Sequence, residues 1–427
     1  MGRGGAKRVD EQPPTTSSWV EQQLLTTTQH LHSFTQTLKF LLLNDSKSRK
    51  KLDNMPSEKE TTPPLHISIS GSDAEGHETP KTPRSSSGWD GKLRVEKKLE
   101  LANPEALSDP EYSDDENVIP GETIDADEDL LDDYPLDTQE IDLVHARVSS
   151  IPSLRLERFQ KVARLCLRQN SIAEIESLSS LSSTLTDLDL YDNLIAHIRN
   201  LDSLINLTNL DLSFNKIKHI KHISHLTNLT DLYFVQNKIG TIEGLDGLTK
   251  LRNLELAANR IREIKGLETL VGLEELWLGK NKIVEISGVD ALKNLKILSI
   301  QSNRIREISG LDQLPQLEEL YISHNALTTF SGLSSNTSLR VLDVSNNRIT
   351  SLKGIEHLKE LEELWASYNK IMDFNEVGEV LGDKKGLTTV YFEGNGLQLR
   401  APALYRNKVR LALPQVIQID ATFVRVS

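Results

Sequence analysis

Apolar and polar residues follow a pattern that repeats every 22 residues through the C-terminal two thirds of the chain. Around Asn215, for example, Leu210, Leu212, Ile217 and Ile220 give the pattern L-x-L-x-x-N-x-I-x-x-I. Leucines two residues apart lie on one face of an extended strand. The asparagines that mark the repeats are Asn170, Asn193, Asn215, Asn237, Asn259, Asn281, Asn303, Asn325, Asn347, Asn369 and Asn395. The pattern predicts one short strand in each repeat.

A 22-residue repeat of this kind is typical of leucine-rich repeats. One repeat cannot bury its own leucines, so the repeats must stack, with a parallel sheet on the concave face and short helical or 3-10 returns on the convex face. We therefore expect an α/β leucine-rich-repeat solenoid. The asparagines are expected to form a hydrogen-bonded ladder, because the backbone of a buried turn needs partners. The glycines seven residues after the asparagines are expected to adopt a conformation that a side chain would oppose.

The composition divides the chain into three parts. Residues 1–138 are predicted to be largely disordered and acidic at their end, with a possible amphipathic helix at 18–42 that either has no readable role or docks on a partner. Residues 139–400 are predicted to form about 12 repeats, with a helix at 375–381. Residues 401–427 are predicted to form a C-terminal cap that begins with a helix at 402–411, which is closed by Pro414.

Charge is concentrated in one segment of the chain. The formal net charge is −13, and the segment from Asp109 to Asp142 contains fifteen acidic residues and no Lys or Arg. The remainder therefore sums to +2 (−13 + 15), so a strongly basic nucleic-acid footprint is absent. Cys166 is the single cysteine, which favours a reducing compartment. No apolar run approaches the ~20 residues of a membrane span, and the N-terminus lacks a signal-peptide core. We expect a soluble intracellular protein.

Motifs that carry catalysis are missing from the sequence. It contains no P-loop, no G-x-G-x-x-G after a strand, no H-E-x-x-H and no G-x-S-x-G. His219, His222 and His225 lie close together, but a solvated surface explains them better than a metal site. Cys166 is expected to face outward on its strand as a small filler rather than as a nucleophile. We expect no enzyme activity, no cofactor and no bound metal.

The face of the sheet opposite the leucine core is the candidate binding surface. Residues two, four and six positions before each asparagine point away from the core. The position four before is mostly acidic or aromatic: Asp189, Asp211, Tyr233, Glu255, Trp277, Ser299, Tyr321, Asp343, Trp365 and Tyr391. Aligned exposed aromatic residues are typical of protein-binding hot spots, although a solvated sheet could also carry them for strand propensity. Basic residues such as Lys216 and Arg260 directly follow the asparagines, on the flank. This segregation favours a partner with a basic and apolar patch.

The repeats and the cap resemble one family of leucine-rich-repeat proteins. The strings LCLRQN (165–170), DLYDN (189–193), LGKNKI (278–283) and QSNRI (301–305), with YRNKV (405–409), LP (413–414) and IDATFVR (419–425), are similar to the nuclear regulatory subunit 7 of type-1 protein phosphatase. The resemblance covers roughly 141–427. It implies a noncatalytic protein that binds the phosphatase catalytic subunit through its concave face. It also implies partner-binding roles for Asp211, Tyr233, Glu255, Trp277, Asp343, Glu363, Trp365 and Tyr391. The family typically has phenylalanine at positions 233 and 277.

The same resemblance implies a role in controlling the phosphatase in the nucleus and cytoplasm, in mitosis and in chromosome segregation. It also implies a ternary complex with a small disordered inhibitor, and no nucleic acid or membrane partner. A [KR]-x-[VI]-x-[FW] docking peptide is absent, since the nearest match, Val390 to Phe392, follows Thr389 rather than a basic residue. Recognition would therefore use the folded surface. The alternative is a leucine-rich-repeat adaptor for a spliceosomal or cytoskeletal partner.

Overall fold

The computed structural model describes residues 130–424, which form one sheet of fourteen strands in sequence order. Strands β1 to β13 pair in parallel, and β14 pairs antiparallel with β13. The strands are β1 Glu140–Asp142, β2 Arg164–Cys166, β3 Asp187–Asp189, β4 Asn209–Asp211, β5 Asp231–Tyr233, β6 Asn253–Glu255, β7 Glu275–Trp277, β8 Ile297–Ser299, β9 Glu319–Tyr321, β10 Val341–Asp343, β11 Glu363–Trp365, β12 Thr389–Tyr391, β13 Gln418–Ile419 and β14 Thr422–Phe423. The predicted leucine-rich-repeat solenoid is confirmed.

The central residue of each strand and the apolar residue two positions later face the core, as Leu210 and Leu212 do. Leu210 of β4 aligns with Leu232 of β5, and Leu232 aligns with Leu254 of β6, all with 0% exposure. Full burial of one such side chain contributes about 1.5–3 kcal/mol, which is too little to order a lone 22-residue repeat. The stack is therefore stable only as a continuous core.

The asparagine ladder forms as the pattern predicts. Asn259 shows its geometry: Nδ2 donates to the carbonyl oxygens of Phe234, Leu256 and Ala257 at 2.8, 3.1 and 3.2 Å. Its Oδ1 accepts from the amide of Ile239 in the preceding repeat at 2.9 Å. One buried side chain therefore satisfies four backbone groups and joins two repeats.

The residue before each ladder asparagine has a left-handed backbone, which the sequence did not reveal. Phe214, Ala258 and Tyr368 have φ values of 56°, 55° and 54° at these positions. The conformation is uncommon for residues with a side chain and is held by the surrounding turn. The glycines seven residues after the asparagines also have positive φ, as predicted; at Gly310 φ is 70°, and a Cβ would lie 2.4 Å from the carbonyl oxygen of Ile286.

Residues 130–138, which the composition assigns to the predicted disordered region, pack on the first repeat. Leu131 is 2% exposed and belongs to the core, and Tyr134 packs against it. The Tyr134 hydroxyl donates to the carbonyl of Asp142 at 2.9 Å, and Arg158 pairs with Asp132 at 2.8 Å. Residues 130–138 therefore cover the first repeat despite their acidic composition. The possible helix at 18–42 and the rest of the predicted disordered region up to 129 lie outside the described residues.

The C-terminal end is closed by short helices. Helices span Phe374–Leu381, Gly396–Leu399 and Pro402–Ala412, which confirms the two predicted helices. Tyr405 and Val409 are buried against the last repeat, and the Tyr405 hydroxyl donates to Asp420 at 2.9 Å. The other described helices are the 3-10 segments Pro152–Leu154, Leu156–Arg158 and Ser179–Leu181. The final repeat is thus covered by Pro402–Ala412.

Candidate functional site

The open sheet face consists of the residues four and six positions before each ladder asparagine. Six of the eight predicted partner-binding residues lie in one column of this face and are partly exposed: Asp211, Tyr233, Glu255, Trp277, Trp365 and Tyr391. Glu363 is also partly exposed, in the adjacent column. Parallel pairing in register aligns these positions on successive strands, about 4.8 Å apart. The face has an acidic section on β3 to β6 and an aromatic section on β7 to β12.

The aromatic row consists of Trp277, Tyr321, Trp365 and Tyr391. The ring centroids of Trp277 and Tyr321 are 6.4 Å apart with an interplanar angle of 19°. Tyr321 meets Trp365 edge-on at 6.1 Å, and Trp365 meets Tyr391 edge-on at 5.8 Å. These separations lie within the favourable range for aromatic pairs. The four rings therefore form one connected apolar surface.

Small residues under the rings allow these contacts. The strands of Trp277 and Tyr321 are separated by β8, so their backbones lie about 9.6 Å apart. Ser299 fills the column between them and is 1% exposed, and Asp343 lies between Tyr321 and Trp365. Because these side chains are short, the flanking rings approach each other above them. Large and small residues alternate from β7 to β11 for this reason.

Each of three rings is held by a glutamate two residues earlier on its own strand. Trp277 Nε1 donates to Glu275 Oε2 at 3.3 Å, and the Tyr321 hydroxyl donates to Glu319 Oε2 at 2.7 Å. Trp365 Nε1 donates to Glu363 Oε2 at 2.9 Å. Sequence reasoning missed these pairs, although a signal was present, because Glu-Glu-Leu followed by Trp or Tyr recurs at 274–277, 318–321 and 362–365. The polar edge of each ring is thereby fixed.

The acidic section places several carboxyl groups close together, of which Asp189 is buried and Asp211 and Glu255 are partly exposed. Arg168 lies 3.4 Å from Asp189 and 3.9 Å from Asp211, and its guanidinium stacks 4.2 Å from the Tyr191 ring centroid. Burial, assisted by Asp211, raises the pKa of Asp189 to about 6. Burial, with Asp211 and Glu275 nearby, raises the pKa of Glu255 to about 8. The section therefore gathers carboxyl groups that a nearby cation would stabilise in their charged form.

Two residues in the column four positions before the ladder asparagines, Asp343 and Cys166, are buried. Asp343 is 8% exposed, and its Oδ1 accepts from the amide of Ser345 at 2.9 Å, so it shapes its own turn beneath the aromatic row. Asp211 makes the same bond to Ser213 at 2.8 Å but stays partly exposed. Cys166 does not face solvent; it is 3% exposed, and burial raises the pKa of its thiol to about 11. Short side chains in this column are covered by their neighbours.

The histidines off the sheet face have ordinary partners. His219 Nδ1 lies 2.9 Å from Glu243, and His225 Nε2 lies 3.2 Å from the carbonyl of Leu201. Within residues 130–424, no group of three or more His, Cys, Asp or Glu side chains has the arrangement of a metal site. None of the helices in that range has the length and hydropathy to cross a membrane.

Asn336 is a polar residue that is fully buried in its repeat. It occupies a position that holds leucine in neighbouring repeats. Its exposure is 0%, and its Nδ2 donates to the carbonyls of Leu311 and Leu314 at 2.9 and 3.1 Å. The amide therefore ties its turn to the preceding repeat.

The comparisons with known proteins agree with this fold. Leucine-rich-repeat family models match residues 205–261, 293–335 and 337–379. The chain aligns at 25% identity and a TM-score of 0.53 with an internalin, InlF, from Listeria monocytogenes, over 67% of this chain and 87% of that one. This similarity concerns the repeat architecture.

Curated relatives add a more specific similarity. This chain is 57% identical, over 84 residues or 20% of its length, to "Protein phosphatase 1 regulatory subunit SDS22" of Schizosaccharomyces pombe. The chain is also 60% identical, over 47 residues or 11% of its length, to "Protein phosphatase 1 regulatory subunit 7" of Xenopus tropicalis. The matches span 24% and 13% of those relatives. The chain is a leucine-rich-repeat protein whose curated homologues are named regulatory subunits of protein phosphatase 1.

Proposed function

We propose that this chain is a noncatalytic regulatory subunit that binds the catalytic subunit of type-1 Ser/Thr protein phosphatase. The names of its curated relatives support the choice of partner. The aromatic row supports the binding mode and is the observation that carries the proposal. The open sheet face, as the concave face of the solenoid, is the proposed contact surface.

The aromatic row has the properties of an interface hot spot. Trp277 and Trp365 are partly exposed and are held in place by Glu275 and Glu363. A side chain that is already fixed loses little conformational entropy when a partner covers it. Rigid Trp and Tyr residues at the centre of a contact surface contribute most of the binding free energy in many complexes.

The acidic section beside the aromatic row sets a second requirement for the partner. Asp211 and Glu255 lie two repeats apart in the same column, with Tyr233 between them. A partner that covers the whole face must place basic groups over β3 to β6 and apolar groups over β7 to β12. Such complementarity selects the partner and aligns it on the face.

The consequences of binding follow from the family resemblance. The complex would control the activity, the assembly or the nuclear localisation of the phosphatase in mitosis, in the nucleus and also in the cytoplasm. A small disordered inhibitor would join it as a third component. The chain itself would contribute recognition and no catalytic group.

A direct binding measurement tests the proposal. The full-length chain is titrated calorimetrically with purified catalytic subunit, and saturable 1:1 binding is expected. Leu411→Ala is the matched surface control, because this leucine is 82% exposed on the helix Pro402–Ala412 at the cap, and it should bind like the natural chain. In a lysate pull-down the phosphatase should be the dominant protein captured. Absence of binding, with a different protein dominant in the pull-down, would instead support an adaptor function.

A further inference from the structure

Two asparagine amides in the acidic section have buried polar atoms without a partner. Oδ1 of Asn209 and Oδ1 of Asn253 are buried and accept no hydrogen bond from any described residue. Asn253 is 7% exposed, and its Nδ2 makes one long contact, 3.4 Å to the Tyr233 hydroxyl. If the amide is rotated, the oxygen pairs with that hydroxyl and the nitrogen loses its partner. One buried polar atom therefore remains unsatisfied in either orientation.

Both amides lie on the open sheet face, six positions before a ladder asparagine. Asn209 aligns with Asp187 and Asp231 on the neighbouring strands. Asn253 aligns with Asp231 on one side and Glu275 on the other. The two asparagines thus alternate with carboxylates along one column, and Asn253 lies next to β7, the strand on which the aromatic row begins.

The fold does not require an amide at these positions. The equivalent residues are Ile297 on β8 and Val341 on β10, so an apolar β-branched side chain is compatible with the strand. A buried polar atom that lacks a partner destabilises the free protein. An asparagine here therefore has a cost in the unbound state that a valine would avoid.

The surroundings define the group that would satisfy these amides. The carboxyl group of Glu255, in the adjacent column, forms no hydrogen bond or ion pair with any residue in the range 130–424, and the carboxyl groups of Asp211 and Glu275 lie nearby. A group that enters must donate hydrogen bonds, and in this field it is favoured if it is positively charged. Lys and Arg side chains meet both conditions, because they carry several donors and no acceptor.

We propose that Asn209, Asn253 and Glu255 form a socket that receives basic side chains, Lys or Arg, from the protein partner. This socket rests on the proposed function and specifies which part of the partner contacts β4 to β6. The asparagines act as specificity residues: a partner with apolar or acidic groups at this place would leave them unsatisfied or repel the carboxylates.

The test uses two variants of the full-length chain, Asn209→Val and Asn253→Val, with calorimetric affinity for the phosphatase catalytic subunit and thermal unfolding measured on the same samples. Each variant should unfold at a higher temperature than the natural chain and bind about tenfold more weakly. If the asparagines only support the fold, the valine substitutions should lower the unfolding temperature. If they are only solvated, the substitutions should change neither the unfolding temperature nor the affinity.

Two further variants separate this socket from the proposed function. Asn253→Asp keeps an acceptor of the same shape and should retain affinity within about threefold, so a loss as large as that of Asn253→Val would overturn the socket. Trp365→Ala tests the face as a whole. If Trp365→Ala weakens binding while both valine variants bind normally, the socket is wrong and the proposed function stands. If the natural chain does not bind the phosphatase, both are wrong.

Discussion

Trp365 donates its indole N–H to Glu363 at 2.9 Å, on the same strand and two residues apart. The same relationship joins Trp277 to Glu275. A tryptophan that is partly exposed would otherwise sample several rotamers, and ordering it on binding would reduce affinity. The glutamate prevents this by holding the ring edge in the unbound protein. The binding surface is therefore prepared before a partner arrives.

Removing this glutamate should weaken binding without unfolding the protein. Glu363→Ala frees Trp365, so we expect an affinity loss of about 1 kcal/mol, or roughly fivefold. Glu363 is partly exposed, so the unfolding midpoint should stay close to that of the natural chain. Calorimetric titration with the phosphatase catalytic subunit measures the effect. Glu360→Ala, at an exposed glutamate off the sheet face, should bind normally; equal losses in both variants would show a general charge effect.

The asparagine ladder should contribute measurably to stability. Asn259→Ala removes the partner of four backbone groups, and we expect a loss of about 1–3 kcal/mol in the free energy of unfolding. Urea titration followed by circular dichroism measures it. Asn407→Ala changes an exposed asparagine in the helix Pro402–Ala412 and should alter stability by less than about 0.5 kcal/mol. A neutral Asn259→Ala would refute the role of the ladder.

Backbone strain before the ladder asparagine should be relieved by glycine. Ala258 has φ of 55°, so Ala258→Gly should stabilise the protein by about 0.5–1 kcal/mol even though glycine has the greater unfolded-state entropy. Gly310→Ala should do the reverse, since its Cβ would lie 2.4 Å from a carbonyl oxygen. The denaturant midpoints of the two variants, compared with that of the natural chain, measure both changes in stability. Destabilisation by Ala258→Gly would mean that the turn imposes no strain on alanine.

Much of this architecture could be predicted from the sequence because it depends on local repetition. The strands, the asparagine ladder and the positive φ at Gly310 follow from spacing alone. The burial of Asp343 could not be predicted, because it depends on two rings from other strands that close above it. The left-handed residues before the asparagines are of different types, such as Phe214 and Ala258, so the residue type at this position does not predict the conformation. Leu131 lies in an acidic stretch whose packing is set by the first repeat.

The Glu255 carboxyl group should make stability depend on pH. Its pKa is raised to about 8 by burial and by Asp211 and Glu275, whereas an unfolded glutamate titrates near 4.5. The folded state therefore binds the proton more tightly, and this contribution to stability is lost as pH rises from about 4.5 to 8. Relative to Glu255→Gln, the natural chain should lose up to about 1.4 kcal/mol per pH unit in that window. Urea unfolding at pH 5, 6.5 and 8 measures the difference; parallel curves for the two proteins would contradict it.

The central claim is that the aromatic row binds the phosphatase, and paired measurements on Trp277→Ala and Trp365→Ala test it most directly. Each variant is assayed for calorimetric affinity to the catalytic subunit and for melting temperature. We predict a loss of about 2 kcal/mol or more in binding, roughly thirtyfold, because each ring is a rigid, partly exposed anchor. The melting temperature should change little, because both side chains lie on the face opposite the leucine core. Undiminished affinity in either variant, or a loss that only follows unfolding, would contradict binding through this face.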